Sequence, residues 1–315
     1  IENADHGEPE DYMLQTTIAR TVSYTGVGLH SGKDVQMRLQ PAPADSGIVF
    51  YVHTPSGVRH IAPRPSAVSA TALATTLSDG QASVSTVEHV LAALAGMAVD
   101  NVQVHVFGGE IPIMDGSAVQ AAALLKEAGL RSLHVPRRVA RVRRPLSVAG
   151  DGKAIHVWPH NGFYVDYTID FPHASIGKQR LSLEITPDTF AEIAFARTFG
   201  FLQEVEYLHS RGLALGGSLG NAVVLDEQGV VNPEGLRRPD EFVRHKMLDF
   251  VGDMAMLGMP LQGAFEVHCS GHQLNNAFLR RLSEERGAYL EIVSLTRESA
   301  PAYEGEAFPA MVVPA

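Results

Sequence analysis

Three polar side chains recur every fourth residue in one segment of the chain, at His245, Asp249 and Asp253. On a helix with about 3.6 residues per turn, this spacing places them on one stripe, flanked by apolar residues that would face a core. Because an unpaired charge beside a core is costly, the stripe predicts either a bound metal ion or a dedicated set of hydrogen-bond partners.

A further candidate ligand is His89, which directly follows Glu88. A catalytic zinc ion usually has three protein ligands, drawn from histidine and carboxylate, and a water in the fourth position. His89, His245 and Asp249 would supply that set. Zinc lowers the pKa of its water to about 7, so a neighbouring carboxylate such as Glu88 can take the proton as the water attacks a carbonyl. Each piece alone is a weak signal, and Ser85 with Glu88 also fits a capping box that needs no catalytic role.

His272 follows the predicted strand 261–268 in a loop that could return toward Asp253. An aspartate that accepts one imidazole N–H fixes the tautomer and favours the imidazolium, which suits a general acid or an oxyanion stabiliser. A loop residue that only makes hydrogen bonds is the alternative for His272. Lys246 would point about 100° around the helix from His245 and could reach a substrate from the flank.

The stretch from Arg197 to Phe201 combines a hydroxyl group with two aromatic rings. The Thr198 hydroxyl could donate to a developing oxyanion, and Phe199 and Phe201 could line an apolar surface. Residues 202–224 are first amphipathic and then rich in glycine, so they could form a wall around a long apolar ligand. Ordinary core packing explains the same pattern equally well.

Alternating strands and helices would position these residues. In the first half, we expect a strand running into a loop over 14–29, a capped helix from Thr86 to Gly96, a strand over 101–107 and a helix over 117–128. In the second half, we expect strands over 138–148, 154–159, 163–170, 179–185 and 261–268, and helices over 240–257 and 274–284. Helix, Gly-Met, strand, loop and helix therefore occur twice, which predicts an internal duplication unless common elements coincide by chance.

The composition describes a chain able to bury a full core. Of its 315 residues 45% are hydrophobic and 19% charged, and the length suggests about two domains. The net charge of -10 argues against nucleic acid as the main partner, because phosphate contacts call for a basic surface. A basic run from Arg131 to Arg144 predicts a solvated linker and strand edge, with contact to an anionic ligand or membrane headgroups as the alternative.

The single cysteine, Cys269, excludes an intrachain disulfide and a zinc site built from several cysteines, and it is compatible with a reducing cytoplasm. No apolar run in the sequence approaches the ~18 residues that a membrane-spanning helix needs. Residues 1–13 lack the positive-then-apolar order of a secretory signal, and we expect a disordered leader or a remnant of cloning there.

Six motifs taken together resemble one family, the zinc-dependent UDP-3-O-acyl-N-acetylglucosamine deacetylases of lipid A biosynthesis, LpxC. They span about residues 14–278 in the family's order and are far more specific together than a zinc-ligand pattern alone. The motifs are TGVGLH at 25–30, STVEH at 85–89, EIPIMDGS at 110–117, RTFGF at 197–201, EFVRHKMLD at 241–249, and SGH at 270–272 followed by Asn275-Asn276.

The resemblance implies an α+β fold of two similar domains. Each would be a two-layer α/β sandwich with a small insert, and the active site would lie between the domains. The implied boundaries are 14–135 for the first domain and 136–300 for the second, whose insert would lie at about 199–224. Residues 1–13 are the expected leader, and 301–315 the expected C-terminal tail.

The resemblance also implies roles for the candidate catalytic residues. Zinc, with iron(II) as an alternative, would be bound by the three candidate ligands named above. Glu88 would be the general base for the attacking water. His272, held by Asp253, would act as general acid or as electrostatic stabiliser of the oxyanion and the leaving amine.

Substrate contacts are implied as well. Thr198 would assist at the carbonyl oxygen, Lys246 and Phe199 would contact the nucleotide sugar, and His30 would sit near the metal pocket without being a ligand. Residues of the second insert would line a passage for the acyl chain, namely Phe201, Leu202, Val205, Ala214, Gly217, Ser218, Leu219 and Val224. Some family members carry cysteine within 73–77, where this chain has none, so we expect no role for a pocket thiol.

The favoured hypothesis is therefore a cytoplasmic, monomeric amidohydrolase that removes acetate from the 2-acetamido group of a UDP-linked 3-O-acyl glucosamine. No nucleic-acid partner and no transmembrane segment are expected, and peripheral membrane contact through residues 137–144 is left open. Two other hypotheses are a noncatalytic, zinc-stabilised module that binds a sugar nucleotide or lipid, and a zinc amidase for another acylated amino sugar.

Overall fold

The computed structural model describes residues 12–297, which form a mixed α/β fold, as the sequence predicts. The predicted tail at 301–315, and all of the predicted leader except its last two residues, lie outside the described residues. The division into two domains at residue 135 stays a prediction.

The first half of the chain alternates short strands with two helices. Its strands are β1 (Leu14–Ile18), β2 (Val22–Val27), β3 (Asp34–Pro41), β4 (Ile48–Thr54), β5 (Gly57–Ile61), β6 (Val68–Ala70), β7 (Thr76–Ser78), β8 (Ser83–Val84), β9 (Val102–Phe107) and β10 (Leu130–Pro136). Its helices are α1 (Glu88–Gly96) and α2 (Val119–Ala128).

The second half has longer strands and the longest described helix. Its strands are β11 (Arg138–Val142), β12 (Leu146–Gly150), β13 (Lys153–Trp158), β14 (Phe163–Phe171), β15 (Gly177–Glu184), β16 (Phe199–Phe201), β17 (Val223–Asp226), β18 (Gly229–Val230), β19 (Leu261–His268) and β20 (Leu290–Ser294). Its helices are α3 (Ala191–Ala194), α4 (Val205–Ser210), α5 (Glu241–Met254), α6 (His272–Glu284) and α7 (Arg286–Tyr289).

A five-stranded sheet in the order β2-β3-β9-β4-β5 organises the first half. Its central strand β9 runs parallel to β4 and antiparallel to β3. Because side chains alternate across a strand, Met37 and Leu39 of β3 and Val104 and Val106 of β9 share the inner face. All four are buried in the same apolar cluster as the residues of α1.

A seven-stranded sheet organises the second half around β19, which pairs with β11, β13 and β14. The predicted strand 261–268 coincides with β19, and the predicted helix 240–257 corresponds to α5 with a 3-10 turn over Ala255–Leu257. The order helix, strand, helix occurs as α1-β9-α2 and again as α5-β19-α6, which is the repeat that the sequence predicts.

Two predicted strands are each divided in the structure. The segment 14–29 forms β1, which pairs with β10, and β2, which joins the five-stranded sheet. The segment 138–148 is divided between β11 and β12 around Pro145, which has no N–H to donate to a ladder. The predicted end of the second insert at residue 224 falls within β17, which pairs with β18, and the insert itself stays a prediction.

The predicted capping box at the start of α1 is wrong. The helix begins at Glu88 rather than Thr86, and no side chain caps it. Thr86 has a φ of 58°, which turns the chain sharply, and its hydroxyl donates to Glu110 at 3.0 Å. The Glu88 carboxylate instead accepts the backbone N–H of Thr75 at 3.1 Å, so it is directed away from the helix end.

Part of the basic run at 131–144 makes specific contacts. Arg137 Nε donates to Asp100 at 2.8 Å, and Arg141 Nε donates to Gln262 at 3.0 Å. These contacts tie β11 and the residue before it to neighbouring elements. The prediction of a strand edge is wrong for β11, which pairs with β19 on one side and β20 on the other.

Helices α1 and α5 pack against each other at very close range. A Cβ atom added to Gly252 would lie 2.0 Å from the backbone oxygen of Glu88, well inside van der Waals contact. Glycine at 252 therefore lets α5 approach the first turn of α1, and this approach sets His89 beside His245 and Asp249.

We expect Gly252→Ala to lower the free energy of unfolding by about 1–3 kcal/mol or more, because backbone must move to admit the methyl group. Its affinity for zinc should also fall, since the helices separate at the ligands. Thermal unfolding of the metal-free protein and zinc titration measure the two effects.

Gly287→Ala is the matched control, because Gly287 lies in α7 with nothing within 4 Å of an added Cβ. Alanine there should be neutral or stabilising, since glycine is a poor helix former. Equal stability and equal zinc affinity for the two variants would contradict the role given to Gly252.

Candidate metal centre

The three predicted ligands converge from two helices. His89 lies on α1, and His89 Nε2 is 3.5 Å from Asp249 Oδ1. On α5, His245 Nε2 is 3.3 Å from the same oxygen. Zinc–ligand bonds of about 2.0–2.1 Å at tetrahedral angles place two ligand atoms roughly 3.4 Å apart. The three donors therefore fit one tetrahedral ion with a position left for water or substrate.

Within residues 12–297, this is also the only trio of His, Cys, Asp or Glu whose ligand atoms all lie within 4.8 Å of one another. Burial lowers the pKa of His245 to about 3, so its ring is neutral at physiological pH. Burial would raise the pKa of Asp249, but His245, Lys246 and His89 hold it well below its ordinary value. A neutral imidazole and an ionised carboxylate are the protonation states that bind a divalent ion.

The backbone carbonyl of Ala196 orients the His245 ring. Nδ1 of His245 lies 3.1 Å from this oxygen, so Nδ1 carries the proton and Nε2 keeps its lone pair for the ion. Arg197, the next residue, donates from Nε to Glu241 at 2.9 Å in a pair that is almost fully buried. This ion pair ties the segment to the first turn of α5 and so holds the carbonyl in place.

Glu88 points into the same site from the first turn of α1. Its side chain is buried, and burial raises its pKa above the ordinary value for glutamate. His272 and His89 oppose this shift, while Asp249 and Asp253 add to it. A carboxylate with a raised pKa, held by the amide of Thr75, is suited to accept a proton.

His272 is the first residue of α6, rather than a loop residue as predicted, and it meets Asp253 directly. Its Nδ1 is 2.7 Å from Asp253 Oδ2, which also accepts Asn275 Nδ2 at 2.7 Å. Burial alone would lower the pKa of His272, but Asp253, Asp249 and Glu88 together raise it to about 9. The ring is therefore an imidazolium at neutral pH, poised to donate a proton from Nε2.

Thr75 contacts both Glu88 and Asp253, the residue that holds His272. Its hydroxyl donates to Asp253 Oδ1 at 2.9 Å, while its N–H donates to Glu88. Sequence reasoning missed Thr75, and the only signal that could have found it was the departure from cysteine within residues 73–77.

The predicted nucleotide contacts, Lys246 and Phe199, lie beside the ligands. Lys246 Nζ is 2.8 Å from Asp249 and 5.5 Å from the ring centre of Phe199. Phe199 also packs edge-on to His245, with ring centres 6.1 Å apart. Thr198 precedes it and is held through backbone bonds with Gly116 and Val223, each under 3 Å, at 2.7 and 2.8 Å.

His30 connects the first half to the insert. The backbone N–H of His30 donates to Glu110, and its ring atom Nδ1 accepts the backbone N–H of Ala214 at 3.3 Å. Nε2 therefore carries the ring proton, and this buried atom has no hydrogen-bond partner among the described residues. Burial lowers the pKa of His30, and nearby His272 lowers it further against the opposing effect of Glu110.

The lining of an acyl passage by the residues from Phe201 to Val224 stays a prediction. Phe201 packs against Phe171 and His173. The other predicted residues lie on the insert at varying exposure, with Leu202 at 49% and Leu219 at 40%, together with Val205, Ala214, Gly217, Ser218 and Val224.

Replacing Asp253 should change the protonation of His272. We expect Asp253→Asn to lower the pKa of His272 clearly below its wild-type value of about 9, because less negative charge then opposes the effect of burial. Titration of the His272 ring by NMR in metal-free protein measures the shift.

The raised pKa of His272 also makes stability depend on pH. Protonated His272 stabilises the folded wild type at low pH, and this contribution is lost as the pH rises through about 9. Asp253→Asn should therefore flatten this part of the stability profile. An unchanged His272 pKa in the variant would show that Asp253 does not hold the imidazolium.

Comparison with known proteins agrees with this geometry. Residues 15–284 match the family model of LpxC, UDP-3-O-acyl N-acetylglycosamine deacetylase. A UDP-3-O-acyl-N-acetylglucosamine deacetylase of Nitratidesulfovibrio vulgaris is 61% identical over 283 residues, covering 90% of this chain and 92% of the relative. One of Oleidesulfovibrio alaskensis is 56% identical over 299 residues, covering 95% and 98%. The chain therefore belongs to the LpxC family.

Proposed function

We propose that this protein hydrolyses the 2-acetamido group of UDP-3-O-acyl-N-acetylglucosamine, releasing acetate and the free amine, as a step of lipid A biosynthesis. The observation that carries the proposal is the convergence of three metal-ligand side chains with a buried carboxylate and an imidazolium. In the structure, α1 supplies Glu88 and His89, α5 supplies His245, Asp249 and Asp253, and α6 supplies His272.

Each step of the hydrolysis has a residue of the required type. Glu88 would accept a proton from the attacking water, whose oxygen forms a bond to the acetamido carbon. His272 would stabilise the negative oxygen and then protonate the nitrogen as the carbon–nitrogen bond breaks. Thr198 would donate its hydroxyl to the same oxygen. A bound ion would supply Lewis-acid polarisation of the carbonyl and would acidify the attacking water.

We propose zinc as the ion, with iron(II) as the alternative. Two imidazole nitrogens and one carboxylate oxygen form a donor set used by catalytic zinc sites. The same set suits non-haem iron(II), so the donors favour a transition metal over magnesium or calcium without separating the two.

The surroundings of the ligands support a nucleotide-sugar substrate with an acyl chain. Lys246 is partly exposed beside Phe199, so a cation and an aromatic face are available for the sugar nucleotide. The predicted insert, which bonds to His30 through Ala214 and Leu215 and to Leu29 through Gly216, would provide the apolar wall for the acyl chain. No helix in the described part of the chain is both long and apolar enough to span a bilayer. We propose a cytoplasmic monomer that meets its amphiphilic substrate at the membrane surface through residues 137–144.

Glu88→Gln tests the proposed base. It should lower kcat for acetate release by about 10²–10⁴-fold, the usual contribution of a general base, while zinc content and the unfolding midpoint stay near those of the wild type. Acetate release from UDP-3-O-acyl-N-acetylglucosamine by the purified, zinc-loaded protein is the measurement.

Glu291→Gln, on the exposed strand β20, is the matched control and should keep full turnover. Undiminished turnover of Glu88→Gln would remove Glu88 from the mechanism. A zinc-loaded wild type that binds the substrate without releasing acetate would instead indicate the noncatalytic binding module. Turnover of free acylated amino sugars at the rate of the UDP-linked substrate would indicate the broader amidase.

Acyl-chain selectivity tests the insert. Gly217→Leu should shorten the preferred chain, because a bulky side chain would occupy part of the passage. Losing contact with two methylene groups at ~0.8 kcal/mol each predicts roughly a tenfold fall in kcat/KM for long chains relative to short ones. Gly220→Leu, in the same insert and with only Ser218 Oγ within 4 Å of an added Cβ, should leave the ratio unchanged. An unchanged ratio for Gly217→Leu would exclude this wall from the passage.

A further inference from the structure

The outer face of the five-stranded sheet carries a cluster of imidazole and aromatic rings that the proposed hydrolysis does not use. On β4 they are Tyr51 and His53, and on β9 they are His105 and Phe107. The pairing of β4 with β9 sets Tyr51 opposite His105 and His53 opposite Phe107. Because the apolar residues of β9 that pack with α1 lie on the inner face, the sheet separates this cluster from the candidate metal centre.

Two ring nitrogens in this cluster lie very close together. His53 Nε2 and His105 Nδ1 are 3.0 Å apart. Without a metal, this distance is a hydrogen bond in which one ring donates to the other. It is also close to the roughly 3.4 Å that separates two nitrogens bound to the same zinc-like ion. A small rotation of either ring, with the shared proton moved to the other nitrogen of the donating ring, would therefore convert the hydrogen bond into a pair of metal ligands.

The tautomer of His105 favours this conversion. Its Nε2 is 3.3 Å from Gln103 Oε1, and an amide oxygen only accepts, so Nε2 carries the ring proton. Nδ1 is then left with a lone pair directed at His53. A histidine ligand that donates its other N–H to an oxygen acceptor is the usual arrangement in metal sites.

Aromatic neighbours hold both rings in position. Tyr51 stacks on His105 with ring centres 4.7 Å apart, and Phe107 stacks on His53 at 4.0 Å. His105 is 9% exposed, whereas His53 is more open to solvent, so an ion could enter from the solvent side. The site is thus preorganised on the protein side and open for water ligands on the other.

The charges nearby determine which ions fit. Burial lowers the pKa of both imidazoles, and Arg38 on the next strand lowers each further, so both rings are neutral near pH 7. His60, whose ring is tilted against Tyr51 with ring centres 4.2 Å apart, also lowers the pKa of His105. The positive charge of Arg38 opposes hard cations that bind through electrostatics alone. Ions that form strong bonds to imidazole nitrogen are favoured over them.

We propose that His53 and His105 form a second metal site, which binds one Cu²⁺, Ni²⁺ or Zn²⁺ ion through two imidazoles and completes its coordination with water. Its affinity should follow the order of stability of such complexes, with Cu²⁺ bound most tightly. The site lies apart from the catalytic ligands and does not depend on the proposed hydrolysis.

Copper titration of the zinc-loaded, tag-free protein tests the proposal. We expect one equivalent of Cu²⁺ to bind without release of zinc, and its electron paramagnetic resonance spectrum to show coupling to two imidazole nitrogens. His53→Gln and His105→Gln should each weaken this binding at least about tenfold, and Gln103→Leu should weaken it about 10–100-fold through loss of the outer hydrogen bond.

His60→Gln is the matched control, because His60 belongs to the same face but offers no ligand atom to the pair. It should keep the copper affinity of the wild type. Unchanged unfolding midpoints would show that the variants fold. Copper affinity equal to the wild type in both His53→Gln and His105→Gln, or copper uptake matched by zinc release, would overturn the proposal.

Discussion

The close approach of α1 and α5 is the contact on which the site depends. At Gly252 the backbone of α5 comes so near to the Glu88 carbonyl that a methyl group would not fit. This contact places His89, from the first half of the chain, beside His245 and Asp249 from the second. Neither half supplies all three candidate ligands alone, so the candidate metal centre forms only where the two helices pack.

Burial of charge at this contact explains the network around it. Glu88, Asp249 and Asp253 are three carboxyl groups with almost no exposure, and their mutual repulsion would be costly in a dry interior. Lys246 and the His272 imidazolium offset part of that charge, each through a contact shorter than 3 Å, at 2.8 and 2.7 Å. A divalent ion on the three ligands would offset more, so metal binding and folding of the site should stabilise each other.

Much of this site can be predicted from the sequence, because its central residues follow the period of a single helix. The stripe of His245, Asp249 and Asp253 follows from spacing on a single helix, and α5 forms nearly where the pattern predicts. His89 and His272 are candidates from their residue types and neighbours in the sequence, and the family motifs strengthen both, although no local rule connects them to that helix. The fold class was predicted from the alternation of elements and from the same motifs.

The errors and omissions involve partners that are distant in sequence. Ser85 and Glu88 fit a local capping rule. In the structure, however, the Thr86 hydroxyl donates to Glu110, and the Glu88 carboxylate accepts the N–H of Thr75. These tertiary contacts replace the predicted cap. Thr75 reaches Asp253 across 178 residues, and Arg197 reaches Glu241 across 44. Such pairs leave no periodic signal, and only the folded chain reveals them.

We propose that the α1–α5 contact builds a metal-dependent deacetylase site. Acetate release from UDP-3-O-acyl-N-acetylglucosamine tests it most directly, measured on the purified protein before chelation, after chelation, and after restoring zinc or iron(II) in separate samples. We expect release that chelation abolishes and that one of these ions restores. Release that persists unchanged in metal-free protein, or no release from folded protein loaded with either ion, would contradict it.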